Sequence, residues 1–129
     1  RVPLSDAALA VLERLPHVVG NPFVFAGARH GRPLSNMALL QLMRGMGYGV
    51  GGDSGDYVPH GFRSSFRDWA EETTGFPSRV CEAALAHTAG DKTVAAYQRG
   101  DLFEKRRLLM ATWGAYCAAG ARLRVVSAK

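Results

Sequence analysis

Four side chains, His60, Arg63, His87 and Tyr97, have the types and the order that transfer of a phosphoryl group to a phenol would require. A tyrosine attacks a phosphodiester only if the phosphate charge is neutralised, a group handles the proton, and the phenol is held in line. Tyr97 would be the nucleophile, Arg63 the phosphate clamp, and His60 or His87 the proton carrier. A guanidinium suits the clamp because it offers a rigid, permanently charged fork to two phosphate oxygens. An unperturbed imidazole titrates near about pH 6.5 and can give or take a proton at working pH. A phenol, with a pKa near about 10, stays protonated at neutral pH and needs a neighbouring base or cationic field. Tyr48, Tyr57 and Tyr116 have no such setting in the sequence.

Each of these residues has an ordinary reading when taken singly. His60, Arg63 and Arg67 fit the solvated basic edge of an amphipathic helix, lone histidines are mostly structural, and a tyrosine on a short helix mostly packs. Only the set points to chemistry. Gly47-Tyr48-Gly49-Val50-Gly51-Gly52 satisfies the dinucleotide spacing G-x-G-x-x-G, but it follows an expected helix and leads into a loop. A dinucleotide site needs a strand before it and a helix after it. No two of His60, His87, Cys81 and Cys117 have a local metal-ligand spacing, so neither a metal nor a nucleotide cofactor is expected.

The elements that must position the set read as helices. Ser5 is a plausible N-cap for a first helix carrying Leu9, Leu12 and Leu15, which Pro16 ends. Phe23-Val24-Phe25 is extended but too short for a sheet. Ser35 should cap a second helix whose stripe is Leu39, Leu42, Met43 and Met46, followed by a glycine-rich loop over 45–58. A third helix from near Pro59 to about Thr74 should turn Phe62, Phe66, Trp69 and Thr73 inward. Its start near His60 adds backbone N–H groups that favour an anion. Ser78 opens a short helix with Val80, Cys81, Ala84 and Leu85, and another from about Asp91 should carry Val94 and Tyr97. The last, from about Leu102 to Ala118, should place Phe103, Met110, Trp113 and Cys117 on one face, turn Lys105-Arg106-Arg107 mainly to solvent, and fray after Gly120.

The expected fold is therefore mainly α, with at most short extended segments, and 129 residues at 47% hydrophobic content suit a single modest core. Sixteen basic against eleven acidic residues give a net charge of +5, which favours a polyanionic partner. Cys81 and Cys117 belong to no paired motif and are expected to be reduced and buried. No apolar run approaches the roughly 20 residues of a membrane span, so the expected setting is cytoplasmic and DNA-associated, without membrane partners.

The runs HGFRSSFRDWA (60–70) and LAHTAGDKTVAAYQRGD (85–101), followed by the helix through Trp113 and Tyr116, resemble the catalytic domain of tyrosine recombinases. The likeness is to phage and genomic-island integrases, and VPLSDAALAVLERL, FVFAG and GRPLSNMALLQLMRGMG extend it over nearly the whole chain. It implies that Tyr97 forms a 3′-phosphotyrosine link to double-stranded DNA at attachment sites, releasing a 5′-hydroxyl. Arg63 would bind the scissile phosphate, His60 would assist proton transfer, and His87 would donate a hydrogen bond to a non-bridging oxygen. Religation would need no cofactor, and the working assembly would be a tetramer of protomers on DNA. Arg32, Ser35, Asn36, Arg67, Lys92 and Arg99 are candidates for phosphate contact.

Two departures bear on activity. Ala86 stands where many family members have glycine before the histidine. The family's first catalytic arginine and its β-hairpin lysine lie upstream of a segment like Val2-Pro3-Leu4-Ser5, and its N-terminal DNA-binding domains precede them. Residues 1–129 are thus expected to correspond to the C-terminal part of the catalytic domain, to be inactive alone, and to self-associate through uncovered apolar surface. A non-catalytic helical DNA-binding module is the alternative, and a type IB topoisomerase a more distant one.

Overall fold

A computed structural model describes residues 1–49, 56–87 and 100–124, the last four by backbone alone. It contains α1 (Asp6–Glu13), α2 (Ala38–Gly45), α3 (Gly61–Thr73), α4 (Ser78–Ala84) and α5 (Phe103–Arg124). Among the described residues there is no strand, only an isolated antiparallel bridge between Ala26 and Pro33. The mainly α expectation holds. The chain divides into two compact units, one formed by Arg1–Val11 and the chain from Phe66 onward, the other by Leu12–Ser65.

In the first unit the core is Phe66, Trp69 and Ala70 of α3, Val80 and Cys81 of α4, and Leu109 of α5. The spacing of Phe66, Trp69 and Ala70 places them on one side of a 3.6-residue helix, and their burial, not intrinsic propensity, holds that turn. Trp113 packs edge-on to Phe66 at 5.4 Å between centroids and lies 4.8 Å from Trp69, while Tyr116 stacks on Trp113 at 5.5 Å. Such ring pairs add to the area they bury. Ser5 caps α1 as expected, its Oγ accepting the Ala8 N–H at 3.3 Å. It also touches α5, where a Cβ on Gly114 would stand 2.6 Å from that oxygen. Only glycine allows so close an approach.

Several sequence expectations are corrected here. Phe62 is 61% exposed and Thr73 is exposed, while Ala70 is fully buried in their place. Arg106 is buried, because its Nη2 donates to the Arg1 carbonyl at 3.2 Å and lies 3.8 Å from Asp101 Oδ2, with its head 6.0 Å from the Phe103 ring centre. Cys117 is exposed, and α5 continues through Arg124 instead of fraying after Gly120.

Among the described residues, the second unit contributes no side chain to the buried core. The Gly27 and Leu34 N–H groups donate to the Arg32 and Phe25 carbonyls at 2.8 and 2.9 Å, closing a short hairpin-like turn around the Ala26–Pro33 bridge. Ser35 does not cap α2 with its side chain. Its carbonyl accepts the Ala38 N–H at 3.0 Å, and Met37 occupies the cap without a side-chain bond. Leu39, Leu42 and Met46 are exposed, so the expected stripe on α2 is largely uncovered. Tyr48 meets Tyr57 edge-on at 6.1 Å.

Candidate functional site

The end of α4 sets the position of His87. The His87 N–H donates to the Glu82 carbonyl at 3.0 Å and the Ala86 N–H to the Ala83 carbonyl at 3.2 Å, with Ala86 at φ +57°. This is a Schellman C-cap, in which the left-handed residue is usually glycine because it lacks a Cβ. Glycine would adopt this conformation freely, whereas Ala86 occupies it at a cost.

That cap folds His87 back over Glu82. Glu82 Oε2 lies 2.5 Å from His87 Nδ1, and its Oε1 accepts from Arg67 Nε at 2.6 Å. Arg67 Nη2 donates to Ser78 Oγ at 2.8 Å, and Nη1 lies 2.7 Å from Glu71 Oε2 as an ion pair off the hydrogen-bond line. The hydrogen bond from His87, then that from Arg67, holds the Glu82 carboxyl below the usual carboxylate range. An ionised carboxylate can only accept, so Nδ1 carries the hydrogen and Nε2 is on the far edge of the ring. The hydrogen bond to Glu82 raises the Arg67 guanidinium above its ordinary value.

Of the expected site residues in this unit, Arg67 and His87 are brought together through Glu82, a residue that sequence reasoning missed. Arg67, only 20% exposed in its side chain, ties α3 to α4 rather than presenting an unengaged fork to a phosphate. The His87 side chain is 47% exposed. The local part of the signal was a glutamate five residues before the histidine across a helix end; the Arg67 contact, 15 residues away on another helix, was not legible.

In the second unit His60 and Arg63 lie in the turn that begins α3, where the Arg63 N–H donates to the His60 carbonyl at 3.0 Å. His60 is exposed and Arg63 half-buried, the placement expected of a guanidinium at the border of a packed face. Arg32 is exposed, and its carbonyl accepts from Asn21 Nδ2 at 3.3 Å. Ser35 and Asn36 line a mainly apolar groove of about 380 Å³ with Phe23, Phe25, Leu34 and Leu39. Tyr97, Lys92 and Arg99, with the short helix expected from about Asp91, lie outside the described residues. Among the described residues no group of three His, Cys, Asp or Glu side chains could hold a metal, and no helix is long and apolar enough to cross a membrane.

Comparison with known proteins finds relatives of this chain by sequence. Prophage integrase IntA of Escherichia coli (strain K12) is 38% identical over 114 residues, 87% of this chain and 26% of that protein. This chain resembles prophage integrases. The integrase of Shigella phage Sf6 and prophage integrase IntS of E. coli are each 32% identical over 115 residues, again 87% of this chain and 28% of theirs. A match covering that share of 129 residues must include positions 60–101, where both histidines, Arg63 and Tyr97 of the integrase pattern lie. The chain spans about a quarter of the length of these curated relatives. No family model matches it, and no solved structure does.

Proposed function

We propose that this chain supplies the nucleophile and part of the phosphate-binding site of a tyrosine recombinase that integrates or exchanges DNA at specific sites. The observation that carries this reading is the integrase similarity across the stretch holding His60, Arg63, His87 and Tyr97. Tyr97 Oη attacks the scissile phosphorus, the 5′-oxygen leaves with a proton, and a 3′-phosphotyrosine remains. Arg63 forks onto two phosphate oxygens, His60 assists the proton transfer, and His87 donates to a non-bridging oxygen. Attack by another 5′-hydroxyl reverses the step and regenerates the phenol, so the bond energy is conserved and no cofactor is consumed.

In this reading residues 1–129 correspond to the C-terminal part of the catalytic domain, and the partners are attachment-site duplexes and other protomers, arranged as a tetramer. The proposed setting is the DNA of a bacterial or phage genome in the cytoplasm. The family's first arginine and its hairpin lysine have no counterpart in these residues. Loss of one charge-stabilising donor costs about 10²- to 10³-fold in rate, so residues 1–129 alone should not cleave efficiently.

The test uses the full-length gene product, wild type and Tyr97→Phe, on nicked substrates that trap covalent intermediates. A protein–DNA adduct present in wild type and absent in the variant, with DNA binding retained, supports the enzyme. A folded, DNA-binding wild type that forms no adduct on any of several candidate sites points to a non-catalytic DNA-binding module.

A further inference from the structure

We propose that Glu82 is a positioning residue for His87: its carboxylate, clamped by Arg67, holds the imidazole so that Nδ1 faces α4 and Nε2 is presented to a phosphate oxygen. The identity of that phosphate rests on the recombinase reading, whereas the orientation of the ring rests on the geometry alone.

A carboxylate suits this position because it has two acceptor oxygens. Arg67 Nε and His87 Nδ1 are both donors, and they take separate oxygens of Glu82 at 2.6 and 2.5 Å. Each donor thus has an oxygen of its own, on opposite sides of the carboxylate. Arg67 is itself fixed by Ser78 and Glu71, so the carboxylate is held from behind before it meets the histidine. The backbone supports the same arrangement, since the Glu82 carbonyl accepts the His87 N–H in the C-cap. Side chain and main chain of one residue therefore restrain both the ring and its Cα. When the ring is an imidazolium, Nδ1 still donates to Glu82 and Nε2 becomes a donor to a non-bridging oxygen, with the carboxylate balancing the added charge. An amide at position 82 offers only one acceptor oxygen. With its NH2 facing Arg67 it opposes a cation, and with its NH2 facing His87 it turns the neutral ring to the Nε2–H tautomer.

The experiment uses the full-length gene product with 15N-labelled histidine, the His87 signals being assigned by their loss in His87→Asn. In wild type, at a pH where the 15N shifts show the ring neutral, its hydrogen should be on Nδ1, and a neutral ring carrying it on Nε2 overturns the proposal without any substitution at position 82. In Glu82→Gln that hydrogen should leave Nδ1, and an unchanged tautomer overturns it. Adduct formation on nicked substrates should fall about 10- to 100-fold in Glu82→Gln with DNA affinity unchanged, the scale expected of a misplaced group. The same substitution should have little further effect in a His87→Ala background. Equal losses in both backgrounds would show that Glu82 acts through general structure instead. If wild type forms no adduct, the recombinase reading falls, while the tautomer measurement still decides whether Glu82 holds the ring.

Discussion

Replacing Ala86 by glycine should stabilise the protein, although it deletes a methyl group. Ala86 is exposed, so its Cβ gives up almost no packing. Its φ of +57° places that Cβ against the following carbonyl, a conformation that costs an L-residue about 1–2 kcal/mol. Glycine removes that cost but loses more entropy on folding, about 0.5–1 kcal/mol. The expected net gain is about 0–1.5 kcal/mol, centred on about 0.75 kcal/mol, because the two cap bonds from His87 to Glu82 and from Ala86 to Ala83 are made by the backbone and survive. A gain of about 0.75 kcal/mol raises the melting midpoint of a domain of about 150–250 residues by about 1.5–3 °C. Ala86→Val should go the other way, since a β-branched side chain tolerates left-handed backbone least. Thermal melts followed by circular dichroism on the full-length gene product give both numbers. A glycine variant that melts below wild type, or a valine variant that melts with it, would refute the left-handed C-cap and with it the placement of the His87 backbone.

Gly114→Ala should destabilise by about 1–3 kcal/mol in denaturant titrations, because the new Cβ would meet Ser5 Oγ at 2.6 Å and Ser5 Cβ at 2.8 Å; an unchanged midpoint contradicts that approach. One thiol should react quickly with an aromatic disulfide reagent at neutral pH and the other only on unfolding. The fast one is expected to be Cys117, because it is exposed whereas Cys81 is buried; desolvation pushes both thiols up, so access decides between them. Glu82 has its folded pKa below its unfolded value near about 4.3, so its contribution is fully present above that value and is lost as pH falls through the lower folded one. Wild type should therefore lose stability relative to Glu82→Gln on acidification below about pH 5, with the difference reduced by salt because the pair is partly exposed. Parallel acid-melting curves would contradict the ion-paired carboxylate.

Much of the first unit could be read from sequence because its signals are periodic and local. Phe66 and Trp69 recur at helical spacing, Val80 and Cys81 follow a serine that opens a helix, and Ser5 caps the turn it precedes. What escaped depends on partners distant in the chain or on residues without a hydropathy signal. Ala70 carries too little side chain to stand out, yet it lies at the centre of the core. Arg106 sits in a run of three cations that reads as solvated, but its carbonyl partner, Arg1, is 105 residues away. Glu82 needed both the Arg67 contact from another helix and the left-handed residue at position 86 to reveal its place beside His87. The α2 stripe is the reverse case. Its spacing is that of a buried face, and the described residues leave Leu39, Leu42 and Met46 exposed. For the candidate site, the sequence offered the residue types and their order, and the fold added the contact of His87 with Glu82.

The most direct measurement is to identify the residue that carries DNA. Covalent complex trapped on a nicked attachment-site substrate, digested with nuclease and trypsin, should yield the peptide Thr93–Arg99 bearing a nucleotide remnant on Tyr97. A remnant linked through its 3′-phosphate to that phenol is the predicted result. Adduct mapped to any other residue, or linked through a 5′-phosphate, would contradict the proposed recombinase mechanism.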